Sequence, residues 1–165
     1  DYYKRVGFDF DKIPFSMLAH EYMEDYQEKS YACDLHSDVL DVVNKAKNLG
    51  FSQTVLSASK MDYLLKQMET LHVDDLFDSI YGINDIYAKS KVELAHAFKQ
   101  TCSLDDEIYF VGDSVHDYEV AKNIGAKCIL VTTGHQNRAT LESVNVPVMD
   151  SLMESLDLIY ERDKD

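Results

Sequence analysis

Between Ile108 and Asp117 an apolar, β-prone run, Ile108-Tyr109-Phe110-Val111, stops at Gly112 and delivers two carboxylates, Asp113 and Asp117, onto the turn that opens a helix. A strand that breaks at a glycine and passes at once into a helix is the repeating joint of parallel α/β proteins, whose ligands sit outside the carboxyl ends of the strands. Two carboxylates four residues apart at such a joint suit a hard divalent cation. Mg²⁺ in particular keeps most of its waters and takes one or two protein carboxylates beside a substrate phosphate. The first expectation is therefore phosphate chemistry with Mg²⁺ as cofactor.

The rest of the chain repeats that joint. Helical spacing of Phe15, Leu18, Ala19, Tyr22, Met23 and Tyr26 predicts an amphipathic helix over 15–30, after Pro14. Ser37 reads as the N-cap of a second helix, bearing Val39, Leu40, Val43, Ala46 and Leu49 and closed by Gly50. Strands are expected at 53–57, 80–82, 107–111, 127–132 and 146–149. Helices are expected between them and over 152–162, the third of the connecting ones at 115–124. The run Cys128-Ile129-Leu130-Val131 is continuous enough to be buried on both faces. This pattern predicts an α/β fold, a parallel Rossmann-like sheet with helices on both faces in three layers.

Composition limits what the site can serve. A chain of 165 residues buries roughly two thirds to 70% of its extended surface, enough for a core without metal or disulfide staples. The formal charge of −14 argues against nucleic acid and anionic membrane as partners, because both need a basic face. Cys33, Cys102 and Cys128 are far apart and lack metal-ligand spacing, which fits reduced thiols. With no apolar run near membrane-spanning length and no charged-then-apolar leader, the expectation is a cytoplasmic protein.

The residues just after each expected strand are the candidates for chemistry. Ser57, Ala58 and Ser59 offer a hydroxyl beside backbone N–H groups at a helix start, suited to a phosphoryl oxygen. The loop over 82–90 brings Lys89 and Lys91, either of which would balance a phosphate and nearby carboxylates; Lys91 is favoured because Ser90-Lys91-Val92-Glu93 sits at a helix start. Asp113 and Asp117 follow the third strand, and Thr132, Thr133, Gly134 and His135 the fourth. His116 and His135 are read as solvated neighbours of the site. Asp38 and Asp41, Asp105 and Asp106, and Glu154 and Asp157 are read as helix starts and solvated faces.

The strings Thr54-Val-Leu-Ser57-Ala-Ser59, Ser90-Lys91-Val-Glu and Val111-Gly-Asp113-Ser114-Val-His-Asp117, the last followed by Ala121-Lys-Asn-Ile-Gly125-Ala, resemble the second to fourth motifs of the haloacid-dehalogenase-like (HAD) hydrolases. The likeness is to the branch of capped phosphatases that includes phosphoglycolate phosphatase, and it runs from about Asp34 to the end. It implies a phosphomonoester hydrolase working on a small phosphorylated metabolite through an aspartyl-phosphate. Ser57 and Ala58 would then hold the phosphoryl group, Lys91 would stabilise the nucleophile, and Asp113 with Asp117 would serve Mg²⁺.

The family's first motif, Asp-x-Asp-Gly-Thr on the central strand, has no clear counterpart. Asp9-Phe10-Asp11 is followed by Lys12-Ile13 instead of Gly-Thr. It reads either as a degenerate first motif or, with Tyr2 to Phe8 and the following helix, as the end of a helical cap. The second reading divides the chain into a cap remnant, 1–33, and a core, 34–165, lacking its first strand. The chain would then be an inactive fragment whose missing N-terminal segment is a partner. On the same scaffold a sugar-phosphate mutase, a dehalogenase, or a pseudoenzyme that binds phosphate or protein without turnover are the alternatives.

Overall fold

The computed structural model describes residues 14–83 and 90–164, together with Gly7. Asp9, Asp11 and Lys89 lie outside the described residues, so neither the first-motif question nor the choice between the two lysines is addressed through them. The chain divides into two units, Asp1–Asp34 and Leu35–Asp165.

In the first unit α1, Phe15–Ser30, begins where Pro14 ends. The proline carbonyl accepts the N–H groups of Met17 and Leu18, and proline's fixed φ suits the entry to a helix. Tyr26, expected on the apolar stripe, is exposed.

The second unit alternates strands and helices: α2 Val39–Asn48, β1 Thr54–Lys60, α3 Met61–Thr70, β2 Ser79–Ile83, α4 Lys91–Lys99, β3 Tyr109–Gly112, α5 Val115–Ile124, β4 Lys127–Val131, α6 Arg138–Glu142, β5 Val148–Met149 and α7 Leu152–Arg162, with a 3-10 turn at Asp74–Leu76. Every strand pair is parallel. The expected α/β class therefore holds, with the sheet interrupted. Among the described residues β1 pairs only with β2, while β3, β4 and β5 form a separate sheet in that order. Two half-sheets face each other across a cleft of about 550 Å³, lined among others by Thr54, Leu56, Lys91, Tyr109, Phe110 and Val111. They nevertheless share one covering layer, because Leu56 of β1 and Phe110 of β3 pack on the same cluster of Ala95, Val120 and Ile124 from α4 and α5.

β4 is the best buried strand. Cys128 and Leu130 pack with Ala121 of α5 and Leu141 of α6. Strand alternation turns Ile129 and Val131 to the opposite face, and α7 packs against β4 and β5. Ile129 and Leu130 are wholly buried, as a continuous apolar run between two helical layers should be.

Two local expectations need correction. Asp38, not Ser37, holds the N-cap position of α2, and its side chain makes no cap there. Its carboxylate instead accepts the N–H groups of Leu152 and Met153 at 3.0 and 3.3 Å. Together with Ser151 Oγ, which accepts the Glu154 N–H at 3.1 Å, it satisfies the first three donors of α7. Asp38 is thus a long-range cap and not merely a solvated acid. Asp157, read as a solvated face, is exposed and pairs there with Lys45 at 2.5 Å. Finally, β1 runs past Ser57 to Lys60: regular pairing ends at Leu56 opposite Tyr81, and resumes at Lys60 opposite Ile83. Ser57 therefore sits in a bulge inside the strand instead of at its end.

Candidate active site

The joint after β3 is held by a reciprocal exchange of hydrogen bonds. Ser114, extended at the N-cap of α5, accepts the Asp117 N–H on Oγ at 3.2 Å, and Asp117 Oδ2 accepts the Ser114 N–H at 3.1 Å. This is a capping box, which fills donors that a helix start leaves open. Asp117 Oδ2 also accepts the Asp113 N–H at 3.1 Å and the Ser114 hydroxyl at 2.7 Å. Its second oxygen, Oδ1, receives Lys91 Nζ at 2.6 Å. The pair is largely out of water, with side chains 18% exposed for Lys91 and 4% for Asp117.

Lys91 arrives there because Ser90 caps α4, its Oγ accepting the Glu93 N–H at 3.3 Å. That places the lysine on the first turn after β2, and its ammonium lies 5.6 Å from the centre of the Phe110 ring. The ion pair joins the helix that follows β2 to the helix that follows β3. The carboxyl ends of both half-sheets therefore meet at one place.

Asp113 is held differently. Its carboxylate is 41% exposed and lies 3.4 Å from His135 Nδ1. Two glycines leave room for the acids. A Cβ built at Gly134 would overlap Asp113 Oδ2, Cβ and Cγ, and one built at Gly112 would overlap the Asp117 side chain. Gln136 Oε1 accepts the Val115 N–H at 2.9 Å, tying the loop after β4 to the start of α5.

Electrostatics follow from burial and partners. Burial raises the Asp117 pKa, but hydrogen bonds from Lys91 and Ser114, the Lys91 charge and the Asp113 N–H outweigh it, leaving the carboxyl below its ordinary value. A carboxylate with a depressed folded-state pKa contributes stability that is fully present above its unfolded value, near 3.9, and is lost as pH falls through the folded one. Urea unfolding measured from pH 7 down to pH 2 is therefore expected to show that Asp117→Asn flattens the acid limb of the stability curve. An unchanged limb would sink the assignment. Burial pushes the Cys128 thiol up to about 12, with the Asp117 charge adding to it; a thiol held neutral is filler, not a nucleophile.

The structure thus brings Lys91, Asp113 and Asp117 together. Ser57 Oγ accepts the Ser59 N–H at 3.1 Å, and among the described residues no hydrogen bond joins Ser57 to that trio. Ala58 lies in the same bulge. His116 faces Glu119 at 3.4 Å in an exposed pair. Gly134 and His135 stood among the candidates after the fourth strand, whereas Gln136 was not foreseen as part of the site; the Ser114-x-x-Asp117 spacing was readable as a capping box, but the Gln136 contact with the start of α5 had no local signal.

Among the described residues no group of three or more His, Cys, Asp and Glu side chains is arranged to hold a metal by itself. Such a donor set is unlike a structural zinc cage. Mg²⁺ needs less, since one or two carboxylates beside a phosphate suffice. The half-open Asp113 carboxylate fits that need, while both oxygens of Asp117 are already engaged.

Comparison with known proteins identifies the family and the fold. The haloacid dehalogenase-like hydrolase family matches residues 3–131. No curated protein matches. Among solved structures, a haloacid dehalogenase-like family hydrolase from Streptococcus pneumoniae aligns with a TM-score of 0.82 at 20% identity, over 94% of this chain and 73% of that one. A protein described as a predicted phosphatase from Clostridium acetobutylicum aligns with a TM-score of 0.80 at 20% identity, over 97% and 75%. One described as a predicted phosphoglycolate phosphatase from Haemophilus somnus aligns with a TM-score of 0.74 at 18% identity, over 95% and 72%. At these identities the likeness speaks to fold. Among the described residues no helix is long and apolar enough to cross a membrane.

Proposed function

The chain belongs to the haloacid dehalogenase-like hydrolase family, and on that premise we propose that it carries the phosphate- and Mg²⁺-handling half of a phosphomonoester hydrolase acting on a small phosphorylated metabolite. The observation that carries this reading is the Lys91–Asp117 pair beside the half-open Asp113. An ammonium, a carboxylate free to meet a cation and an orienting acid converge where the strands end.

Each residue has a separate task. Asp113 would hold Mg²⁺, and Asp117 would keep the Asp113 backbone and the Lys91 ammonium in place. Bound there, the metal would neutralise charge on the transferring phosphoryl group. The Lys91 ammonium offsets the repulsion between an attacking carboxylate and the phosphate. Ser57 Oγ and the backbone N–H groups around Ala58, released from the regular ladder by the bulge, are suited to bind phosphoryl oxygens. Chemistry through an aspartyl-phosphate also needs an attacking carboxylate. We place it outside the described residues, at Asp9 or on a further strand, and we read residues 1–33 as a cap remnant.

Calorimetric titration of Mg²⁺ in the presence of inorganic phosphate tests this reading without requiring turnover. One site is expected, lost on chelation, and weakened in Asp113→Asn by about 100-fold. The melting temperature should stay within about 2 °C, since an exposed carboxylate contributes little to stability. Hydrolysis of para-nitrophenyl phosphate by the chain alone is expected to be slight; normal rates would move the nucleophile to Asp9. Undiminished Mg²⁺ binding by Asp113→Asn would refute the metal assignment.

A further inference from the structure

We propose that Asp150, with Thr132 and Arg138 bonded to one of its oxygens, is a clasp that closes the loop after β4 and so fixes the direction of the Asp113 carboxylate; the three are positioning residues for the candidate metal site. Thr132 Oγ1 donates to Asp150 Oδ1 at 3.0 Å, and the Arg138 guanidinium donates to the same oxygen. Thr132 is the first residue after β4, and Arg138 is the first of α6. Both ends of the loop therefore meet on one carboxylate. Among the described residues no hydrogen bond or ion pair joins Asp150 to Asp113, Asp117 or Lys91, so any influence on the site passes through the loop.

Strand register puts the carboxylate there. Val131 of β4 pairs with Met149 of β5, so the residues that follow, Thr132 and Asp150, are neighbours too, and the Thr132 N–H continues the ladder to the Met149 carbonyl at 3.0 Å. Asn137 caps α6, its Oδ1 accepting the Thr140 N–H at 3.0 Å, and this sets Arg138 on the first turn. A second guanidinium nitrogen of Arg138 donates to the Val148 carbonyl at 3.3 Å and lies 3.4 Å from Glu142. Contact through two nitrogens orients the planar fork as a single point charge would not. The Asp150 backbone is held in turn, since its N–H donates to Glu154 Oε2 at 2.9 Å at the start of α7.

The loop depends on such ties because its tip has no buried apolar anchor. Gly134 and His135 are exposed, yet a Cβ built at Gly134 would overlap the Asp113 side chain, and His135 Nδ1 is 3.4 Å from Asp113 Oδ2. The loop is thus one wall of an otherwise half-open carboxylate, and Gln136 adds a tie at the Val115 N–H. A segment without buried apolar contacts opens at little cost. When that wall drifts, the Asp113 side chain gains rotamers that it must give up again to meet a cation. Arg138 and Asp150 are both exposed, and such a pair adds little to global stability, but here it has only a short loop to hold. The consequence for Mg²⁺ rests on the role proposed for Asp113, whereas the hold on its side chain rests on the loop geometry alone.

The experiment compares the 165-residue chain, carrying isotopically labelled aspartate, with Asp150→Ala, Arg138→Met and Thr132→Val. In the metal-free unmodified chain the three-bond couplings of Asp113 are expected to report one dominant χ1 rotamer. In each variant they should move toward rotamer-averaged values, and the Val115 amide should exchange faster by about fivefold. Mg²⁺ affinity, titrated with inorganic phosphate present, should fall by about fivefold in Asp150→Ala, short of the loss expected on removing a ligand. Thr132→Ser and Arg138→Lys keep a donor for Asp150 and should restore most of both readouts. Lys45→Met removes an exposed ion pair of the same kind between α2 and α7 and should change neither. Melting temperatures should stay within about 2 °C throughout. Averaged couplings already in the unmodified chain, unchanged couplings in Asp150→Ala, no recovery in Thr132→Ser and Arg138→Lys, or an equal effect of Lys45→Met would overturn the proposal. If the couplings respond as expected but the unmodified chain binds no Mg²⁺, the clasp stands and the metal reading falls; unresponsive couplings beside ordinary Mg²⁺ binding separate them the other way.

Discussion

Lys91→Met is expected to lower the unfolding free energy by about 3 kcal/mol, because it strands a buried carboxylate. Lys91 Nζ is 2.6 Å from Asp117 Oδ1, and Asp117 is only 4% exposed. Methionine matches the length of the lysine stem, so packing against Phe110 survives while the ammonium is lost. Asp117 Oδ2 keeps its three donors, but Oδ1 keeps none of those described. In a domain of this size about 3 kcal/mol corresponds to a fall in melting temperature of roughly 10 °C. Urea unfolding at pH 7 gives the measurement. The double variant Lys91→Met with Asp117→Asn should recover part of the loss, since a neutral amide still accepts from Asp113 and Ser114 without a buried charge. A single-variant loss below about 1 kcal/mol would mean that water reaches the carboxylate and that the pair behaves as a surface one.

Gly134→Ala is expected to disturb the candidate metal site without replacing a ligand. The added Cβ falls on the Asp113 carboxylate, and because the overlap involves Cβ, Cγ and Oδ2 together, no small rotation relieves it. Either Asp113 swings out or the loop after β4 retreats, which would also pull Gln136 from the Val115 N–H. Mg²⁺ affinity should fall by about 10- to 100-fold, the usual penalty for disturbing what orients a ligand. In an Asp113→Asn background the same substitution should change little, as expected of residues acting through one carboxylate. Calorimetry on the four proteins decides it. Additive losses would mean that Gly134 acts elsewhere.

The elements were largely legible because their signals are local. The strand–glycine–helix joint at 108–117 appeared as β3, Gly112 and α5, and α7 spans Leu152–Arg162 as its spacing predicted. The buried run of β4 was readable for the same reason: four consecutive apolar residues in a strand need cover on both faces. The misplacements were equally instructive. A bulge carried β1 beyond Ser57, because pairing with β2, not local propensity, decides where a strand stops. Asp38 left the helix it begins in order to cap another one 114 residues away.

By itself, then, the sequence determined the α/β class and the order of the elements, and it offered the acids and lysines near the strand ends as candidates. All of these follow from backbone propensity and short spacings. Only the tertiary structure decided how those groups divide their work. Burial and two sets of donors turned Asp117 into the fixed anchor of Lys91, while Gly134 left Asp113 half-open beside it. The division of the described strands into β1–β2 and β3–β4–β5 belongs to the same level, since pairing is a relation between strands far apart in the chain, and Leu56 and Phe110 meet on one floor only once both have packed on α4 and α5.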